Sequence, residues 1–319
     1  MKKFLRKTTL FILPIILIII MMEILLRHIP NDYTYKNCCL TKYANHIETL
    51  IFGSSHSYYG INPAYFNHSA FNAAYVSQSL RFDYEIFKKQ IDSLPNLKNI
   101  ILTVSYFTLY GNLSIGGESW RIKNYDIYCG INPYKRTIEY RSEAFGQKLK
   151  VNLLRIYSYY IEHNSEITAS ELGWGMRHSS RSNRPKDLEK SARTAVLRHT
   201  EKDADSEKAK QTFGKNTSIL QSLVSDCDKR GINVILLTTP AFKSYREKLN
   251  LEQLNATVSI ACKIASGYDN CRYVNLLDDS TFVESDFYDA DHLSEQGAKK
   301  LSVLVNEFLN QNWSETSNR

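Results

Sequence analysis

Five short apolar runs, separated by segments with helical spacing, constrain this chain more than any other feature. They fall at 50–53, 70–74, 98–105, 232–238 and 273–277. Their Val/Ile/Leu-rich centres match strands covered on both faces, the pattern of a parallel sheet. The segments 82–93, 218–230, 251–265 and 294–310 carry apolar residues at helical spacing. Gly231 ends the second of these, and Ser294 caps the last. Leu301, Leu304, Val305 and Phe308 form one apolar face of that last helix. Strands alternating with helices predict an α/β fold, a flavodoxin-like three-layer α/β/α sandwich around a parallel sheet of about five strands.

One transmembrane helix is expected to precede that fold. Leu10 to Met22 are thirteen uninterrupted non-polar residues, and Ile24 to Leu26 extend the stretch past Glu23. Length alone fits either a spanning helix or a signal-peptide core. No small-residue cleavage site follows, since the next residues are Arg27, His28, Ile29 and Pro30, which favours an uncleaved anchor. Lys2, Lys3, Arg6 and Lys7 precede the span, against Arg27 and Lys36 beyond it. The positive-inside bias then puts the N-terminus in the cytoplasm and the remainder outside, in a periplasm or at a cell surface of bacterial type. The expected organisation is a tail at 1–8, an anchor at 9–27, a juxtamembrane linker at 28–46 and a catalytic-type domain at 47–312.

Residues 111–212 break the alternation and read as an insertion. They contain Gly116-Gly117, an aromatic-rich helix candidate at 148–160 and a polar run at 178–190. Residues 176–210 read equally as a lid over the sheet edge or as a disordered linker. In that run His178 and His199 read as solvated surface. The run Tyr157, Tyr159, Tyr160 reads as packing before it reads as a sugar-binding face.

Composition excludes some function classes. The residues up to Pro30 hold a net +4 of the total +7, so the rest of the chain carries only +3. No basic stripe with interleaved aromatics occurs, which argues against a nucleic-acid partner. The six cysteines fit no zinc spacing, and neither a metal nor a cofactor is called for. In an oxidising compartment Cys262 and Cys271 are spaced to close a short loop, with buried free thiols as the alternative.

The chemistry-bearing residues lie at the two ends of the domain. The first apolar run stops at Gly53 and continues Ser54-Ser55-His56-Ser57, at the carboxyl end of a strand where open α/β sheets place ligands. Far along the chain, Asp289-Ala290-Asp291-His292 precedes the last helix. A nucleophile, a base and a group that orients the base make an activated-serine site. Ser54 competes with Ser55 as nucleophile, and Asp291 competes with Asp289 as orienter, with a turn-capping role as its other reading. His56 is either a polar group of the site or a solvent-facing turn residue.

Gly53-Ser54-Ser55-His56, the strand alternation, and Asp289-Ala290-Asp291-His292-Leu293 with Gly297 after it resemble the SGNH hydrolase-like (GDSL-type) superfamily. The similarity covers roughly 48–110 and 230–310. Within the superfamily it points to membrane-anchored relatives that transfer acyl groups on cell-surface polymers, of the teichoic acid D-alanylation and alginate O-acetylation kind. The resemblance implies Ser55 as nucleophile, His292 as base and Asp289 as its orienter. It also implies an oxyanion hole from the Ser55 N–H, a donor after the second strand and an Asn side chain after the third. Here Asn72-Ala73-Ala74 stands at the second place, so the donor expected is the Ala73 N–H beside Asn72. Val104-Ser105-Tyr106-Phe107 stands at the third, leaving Ser105 or the Tyr106 hydroxyl to replace the amide. Loss of one such donor costs about 10²–10³ in rate.

The expected function is an extracytoplasmic serine esterase or O-acyltransferase acting on O-acyl, above all O-acetyl, groups of a surface polysaccharide or lipid-linked glycan. A membrane-embedded acyl-donor protein is the partner this implies. Two alternatives are a hydrolase of small or lipid esters and a non-catalytic glycan-binding scaffold of an export machine.

Overall fold

The computed structural model of the chain describes residues 1–134, 137–179 and 187–313. Five parallel strands form one sheet: β1 (Thr49–Phe52), β2 (Ala70–Asn72), β3 (Asn99–Thr103), β4 (Asn233–Thr238) and β5 (Cys271–Asn275), in the order β2-β1-β3-β4-β5. Each overlaps one of the apolar runs: β2, β3 and β4 are trimmed at the ends, whereas β1 begins one residue and β5 two residues earlier than its run. In register, Leu50, Ile100 and Val234 lie side by side, as do Ile51, Ile101 and Ile235. Successive strand residues point to opposite faces. Because both rows are fully buried, both faces of the sheet are covered, and the strands can be apolar throughout. The Ile51 row packs with Ile61, Leu293, Leu301, Val305 and Leu309 in one core cluster.

The chain lays β2 on one side of β1 and then returns to lay β3 on the other. The carboxyl end of β1 is therefore a topological switch point, where a crevice opens between diverging connections. Helices Leu80–Gln90, Glu207–Asp228, Leu251–Ser266 and Glu295–Trp313 connect and flank the strands. Cys262 and Cys271 are free thiols, the first exposed on its helix and the second buried in β5. This corrects the disulfide option.

The chain divides into two compact units. One comprises Cys38–Leu113 and Ala169–Arg319 and holds the sheet; the other comprises Met1–Asn37 and Ser114–Thr168. The smaller unit contains a 26-residue apolar helix, Lys2–Arg27, long enough to span a membrane. Glu23 near its end accepts the Ala144 N–H at 2.8 Å, the Glu143 N–H at 3.2 Å and the Ser142 hydroxyl at 2.7 Å. Asn31 then caps a further helix, Asp32–Tyr43, by accepting the Tyr33 and Thr34 N–H groups. That helix occupies most of the segment read as a linker. Within the smaller unit, buried Glu143 pairs with Lys123 and Arg155, each at 2.6 Å, and Arg155 also grips Glu166.

Candidate active site

The serine turn is built to tolerate one residue at its exit from β1. Gly53 has φ +126°, and a Cβ there would collide with Thr103 Oγ1 and Ser57 Oγ. Its N–H donates to buried Asp83 Oδ1 at 2.9 Å, which also accepts from Gln78 Nε2 at 2.6 Å. Burial pushes the Asp83 carboxyl up to about 7. Ser57 Oγ donates to the Phe52 carbonyl at 2.7 Å and lies 2.9 Å from Thr103 Oγ1. Ser57 is thus a brace for the turn. Ser55 opens the short helix Ser55–Gly60.

The histidine loop is held as tightly. Asp289 Oδ1 accepts the N–H groups of Asp291 at 3.1 Å and His292 at 2.8 Å, an Asx-type turn that needs an acceptor at that position. The Tyr288 N–H donates to the His292 carbonyl at 2.9 Å and closes the loop. Gly297, in the next helix, lies so near the Asp286 carbonyl that any Cβ would clash. The loop therefore packs flush on its own helix.

These two segments bring Ser55, His292 and Asp289 into one chain of hydrogen bonds. His292 Nε2 lies 2.8 Å from Ser55 Oγ, while its Nδ1 lies 3.0 and 3.1 Å from the two Asp289 oxygens. Burial opposes the charged imidazolium, but the carboxylates of Asp291 and Asp289 outweigh it and raise His292 to about 9. Ser54, the rival nucleophile, has a buried Oγ with no hydrogen-bond partner among the described residues.

Asp291 is not a turn cap. It is 2% exposed, and its Oδ2 lies 3.5 Å from His56 Nε2, 3.4 Å from Arg198 Nη2, 3.6 Å from His292 Nδ1 and 3.9 Å from His199 Nδ1. His56 faces inward, with Nδ1 2.8 Å from Ser105 Oγ. Despite its burial, Asp291 is held well below the ordinary carboxylate range by the histidines, His292 foremost. His56, Asp291 and His292 have the mutual closeness of a metal-ligand set, but their atoms already face one another, Ser105, Ser55 and Asp289.

His178 and His199 are not solvated surface. Helix Leu188–His199 begins where Asp187 accepts the Lys190 N–H at 2.9 Å, so the latter part of the polar run is ordered. Its residues 180–186 lie outside the described residues. His199 Nδ1 lies 2.8 Å from Tyr245 Oη, and its ring stacks obliquely on Phe107 at 4.1 Å. His178 stacks between Tyr59 at 3.7 Å and Tyr288 at 3.9 Å, edge-on to His292. Burial drives both imidazoles down, His178 to about 3 and His199 well below its usual value. Ala192, Ala195 and Val196 share a helical face with His199, a signal that places His199 inward. Sequence spacing offers no such signal for His178.

The donors expected to complete an oxyanion hole are otherwise engaged. The Ala73 N–H donates to the Ile51 carbonyl at 2.8 Å, as a ladder bond of the sheet. Asn72 is wholly buried and ties Ser57 and Ile61 carbonyls with its amide, each at 2.8 Å, while accepting from Ala74. The Tyr106 hydroxyl pairs with Thr200 and the Asn250 N–H, and Ser105 Oγ faces His56. The Ser55 N–H stands first in its helix, where no intrahelical acceptor exists. Beside the histidine loop a cleft of about 410 Å³ is lined by Lys190, Ser191, Thr194, Arg198, Asp289 and Asp291 among others.

No protein-family model and no curated protein matches the sequence. Two solved structures are similar in backbone. One is a candidate platelet activating factor from Streptococcus pneumonia, 11% identical, with 94% of this chain and 99% of that chain covered at a TM-score of 0.42. The other is a candidate acylhydrolase from Bacteroides fragilis, 10% identical, with 87% of this chain and 94% of that chain covered at a TM-score of 0.41. At that distance the likeness carries no weight for the chemistry, which rests on the site itself.

Proposed function

We propose that this chain is a membrane-anchored, extracytoplasmic serine O-acyltransferase or esterase that works through an acyl-serine on O-acyl groups, above all O-acetyl, of a surface polysaccharide or its lipid-linked precursor. The observation that carries this reading is the Ser55–His292–Asp289 chain, with His292 Nε2 at 2.8 Å from the serine oxygen. Ser55 Oγ attacks the acyl carbonyl carbon while its proton passes to His292 Nε2. As the ester C–O bond breaks, the same proton goes to the departing alcohol. An incoming hydroxyl then gives its proton to His292, attacks the acyl-serine and releases Ser55 reprotonated. Asp289 holds the imidazole tautomer with Nδ1–H toward itself and stabilises the imidazolium.

The Ser55 N–H is the oxyanion donor this reading uses, and a sparse hole fits slow acyl transfer better than fast hydrolysis. Lys190, Ser191, Thr194 and Arg198 line the cleft beside the loop and can hydrogen-bond a polyhydroxyl acceptor. The cationic residues in the first turns of the N-terminal helix, ahead of its apolar run, support a cytoplasmic N-terminus and an external domain. A membrane-embedded acyl-donor protein is the partner such an anchored enzyme would use.

The test is to treat the detergent-solubilised full chain with an activated acetyl ester and find the adduct by mass spectrometry. The expected result is one acetyl group on Ser55, absent in Ser55→Ala and strongly reduced in His292→Ala. Labelling that ignores both substitutions overturns the mechanism. Acetate release without transfer to any added glycan would redirect the reading to a plain ester hydrolase.

A further inference from the structure

The smaller unit places its side chains the wrong way round for a surface in water. In helix Leu149–Tyr160, Asn152 is fully buried and donates to the Glu143 and Ala144 carbonyls at 3.1 and 3.0 Å. Arg155 turns inward to Glu143 and Glu166. On the outer face Leu149, Leu153, Leu154 and Tyr157 are 60, 53, 56 and 52% exposed, and Ile161 just beyond is 63% exposed. Ile138 and Phe145 in the approach to the helix are exposed as well. A helix of a water-soluble domain points its apolar stripe inward and its charges outward. Here the stripe is inverted, and the apolar residues gather in one patch, the mark of an interaction surface.

The patch has an adjoining apolar neighbour. The Tyr160 hydroxyl donates to the Leu25 carbonyl at 3.0 Å, and Arg27 Nη2 donates to the Arg141 carbonyl at 2.8 Å. Both contacts fall in the last turn of Lys2–Arg27, and the Glu23 bonds lie just before that turn. At about 1.5 Å per residue those 26 residues span about 39 Å, longer than a hydrocarbon core of about 30 Å. The last turns therefore emerge at head-group depth, and the apolar patch is fastened there. Lys148 and Lys150 flank it, exposed, with stems long enough to reach lipid phosphates.

We propose that helix Leu149–Tyr160 lies along the membrane surface from which the N-terminal helix emerges, with Leu149, Leu153, Leu154 and Tyr157 immersed at the acyl boundary. The occupant of this face is lipid, and the smaller unit is an interfacial collar of the kind amphipathic helices form. The inference rests on the N-terminal helix being inserted in the bilayer.

The experiment uses the full chain reconstituted in phosphatidylcholine–phosphatidylglycerol vesicles, with a tryptophan introduced at one position at a time. Leu153→Trp probes the patch, Leu17→Trp probes the spanning helix, and Lys263→Trp probes an exposed site of the larger unit. Emission added over the parent chain is compared between plain lipid and lipid brominated near the head-group end of the acyl chains. The expected result is loss of most of the added emission at Leu153→Trp, with a blue-shifted maximum, and none at Lys263→Trp. Quenching at Leu17→Trp without quenching at Leu153→Trp overturns the collar and leaves the anchor standing. Quenching at neither overturns both.

Discussion

Glu143 in the smaller unit and Asp291 in the larger are both buried carboxylates, 0 and 2% exposed, yet their surroundings differ in kind. Glu143 faces Lys123 and Arg155, each at 2.6 Å; burial lowers the Lys123 ammonium to about 8, against the pull of the Glu143 carboxylate. Asp291 faces His56, His199 and His292, with Arg198 reaching in from the exposed side. The first arrangement fixes a charge pattern as structure. The second surrounds a fixed negative charge with groups able to take up or release a proton, which is what acid–base chemistry requires. The units differ in the same sense in their apolar residues. Leucines of the larger unit fill a core, whereas those of Leu149–Tyr160 stand outside a polar one.

The largest effect should come from breaking the fixed pattern. Glu143→Gln leaves buried Lys123 without its facing carboxylate and Arg155 with Glu166 alone, at a cost of about 3–5 kcal/mol, read as a lowered unfolding midpoint of the full chain in micelles. A cost under about 1 kcal/mol would show that Glu143 is no keystone. Next, Leu236→Ala in the centre of β4 empties a fully buried site and should cost about 2–5 kcal/mol by the same assay.

A smaller effect separates the titratable carboxylate from the fixed one. With His292 raised to about 9, most of it is protonated at neutral pH and cannot accept the Ser55 proton. Ser55 acetylation should therefore rise with pH and level off once His292 is neutral. Asp291→Asn removes one of the two carboxylates that raise it, so the rising limb should move to lower pH, by about one unit for each ~1.4 kcal/mol of lost interaction. A limb that does not move would remove Asp291 from the site's electrostatics. The smallest effect belongs to Leu153→Ala, expected within about 0.5 kcal/mol in micelles. A loss comparable to Leu236→Ala would mean that Leu153 packs against protein and would end the contrast between the units.

Much of the larger unit was legible because its signals are local. The runs of β1, β3 and β4 became strands because a strand buried on both faces must be apolar throughout, while β5 at the sheet edge is half exposed and carries Arg272 and Asn275; Gly53 and Gly297 mark contacts too close for a Cβ. The Asp289 turn was legible too, because an orienter three residues before its histidine needs little tertiary help. The oxyanion donors were not legible. Whether the Ala73 N–H or the Asn72 amide is free depends on bonds to Ile51, Ser57 and Ile61, which only the folded sheet and turn create.

The sequence by itself determined the alternation of strands and helices, the apolar N-terminal helix, the serine at the end of β1, and the aspartate and histidine ahead of the last helix. Periodicity and turn chemistry act over a few residues, so they survive in a one-dimensional reading. The tertiary structure alone decided that Ser55 meets His292, that Asp291 is a buried centre, and that His178 and His199 leave a polar run to pack at the site. Each depends on residues far apart in sequence coming within a few ångströms, and on burial that composition alone assigned to water.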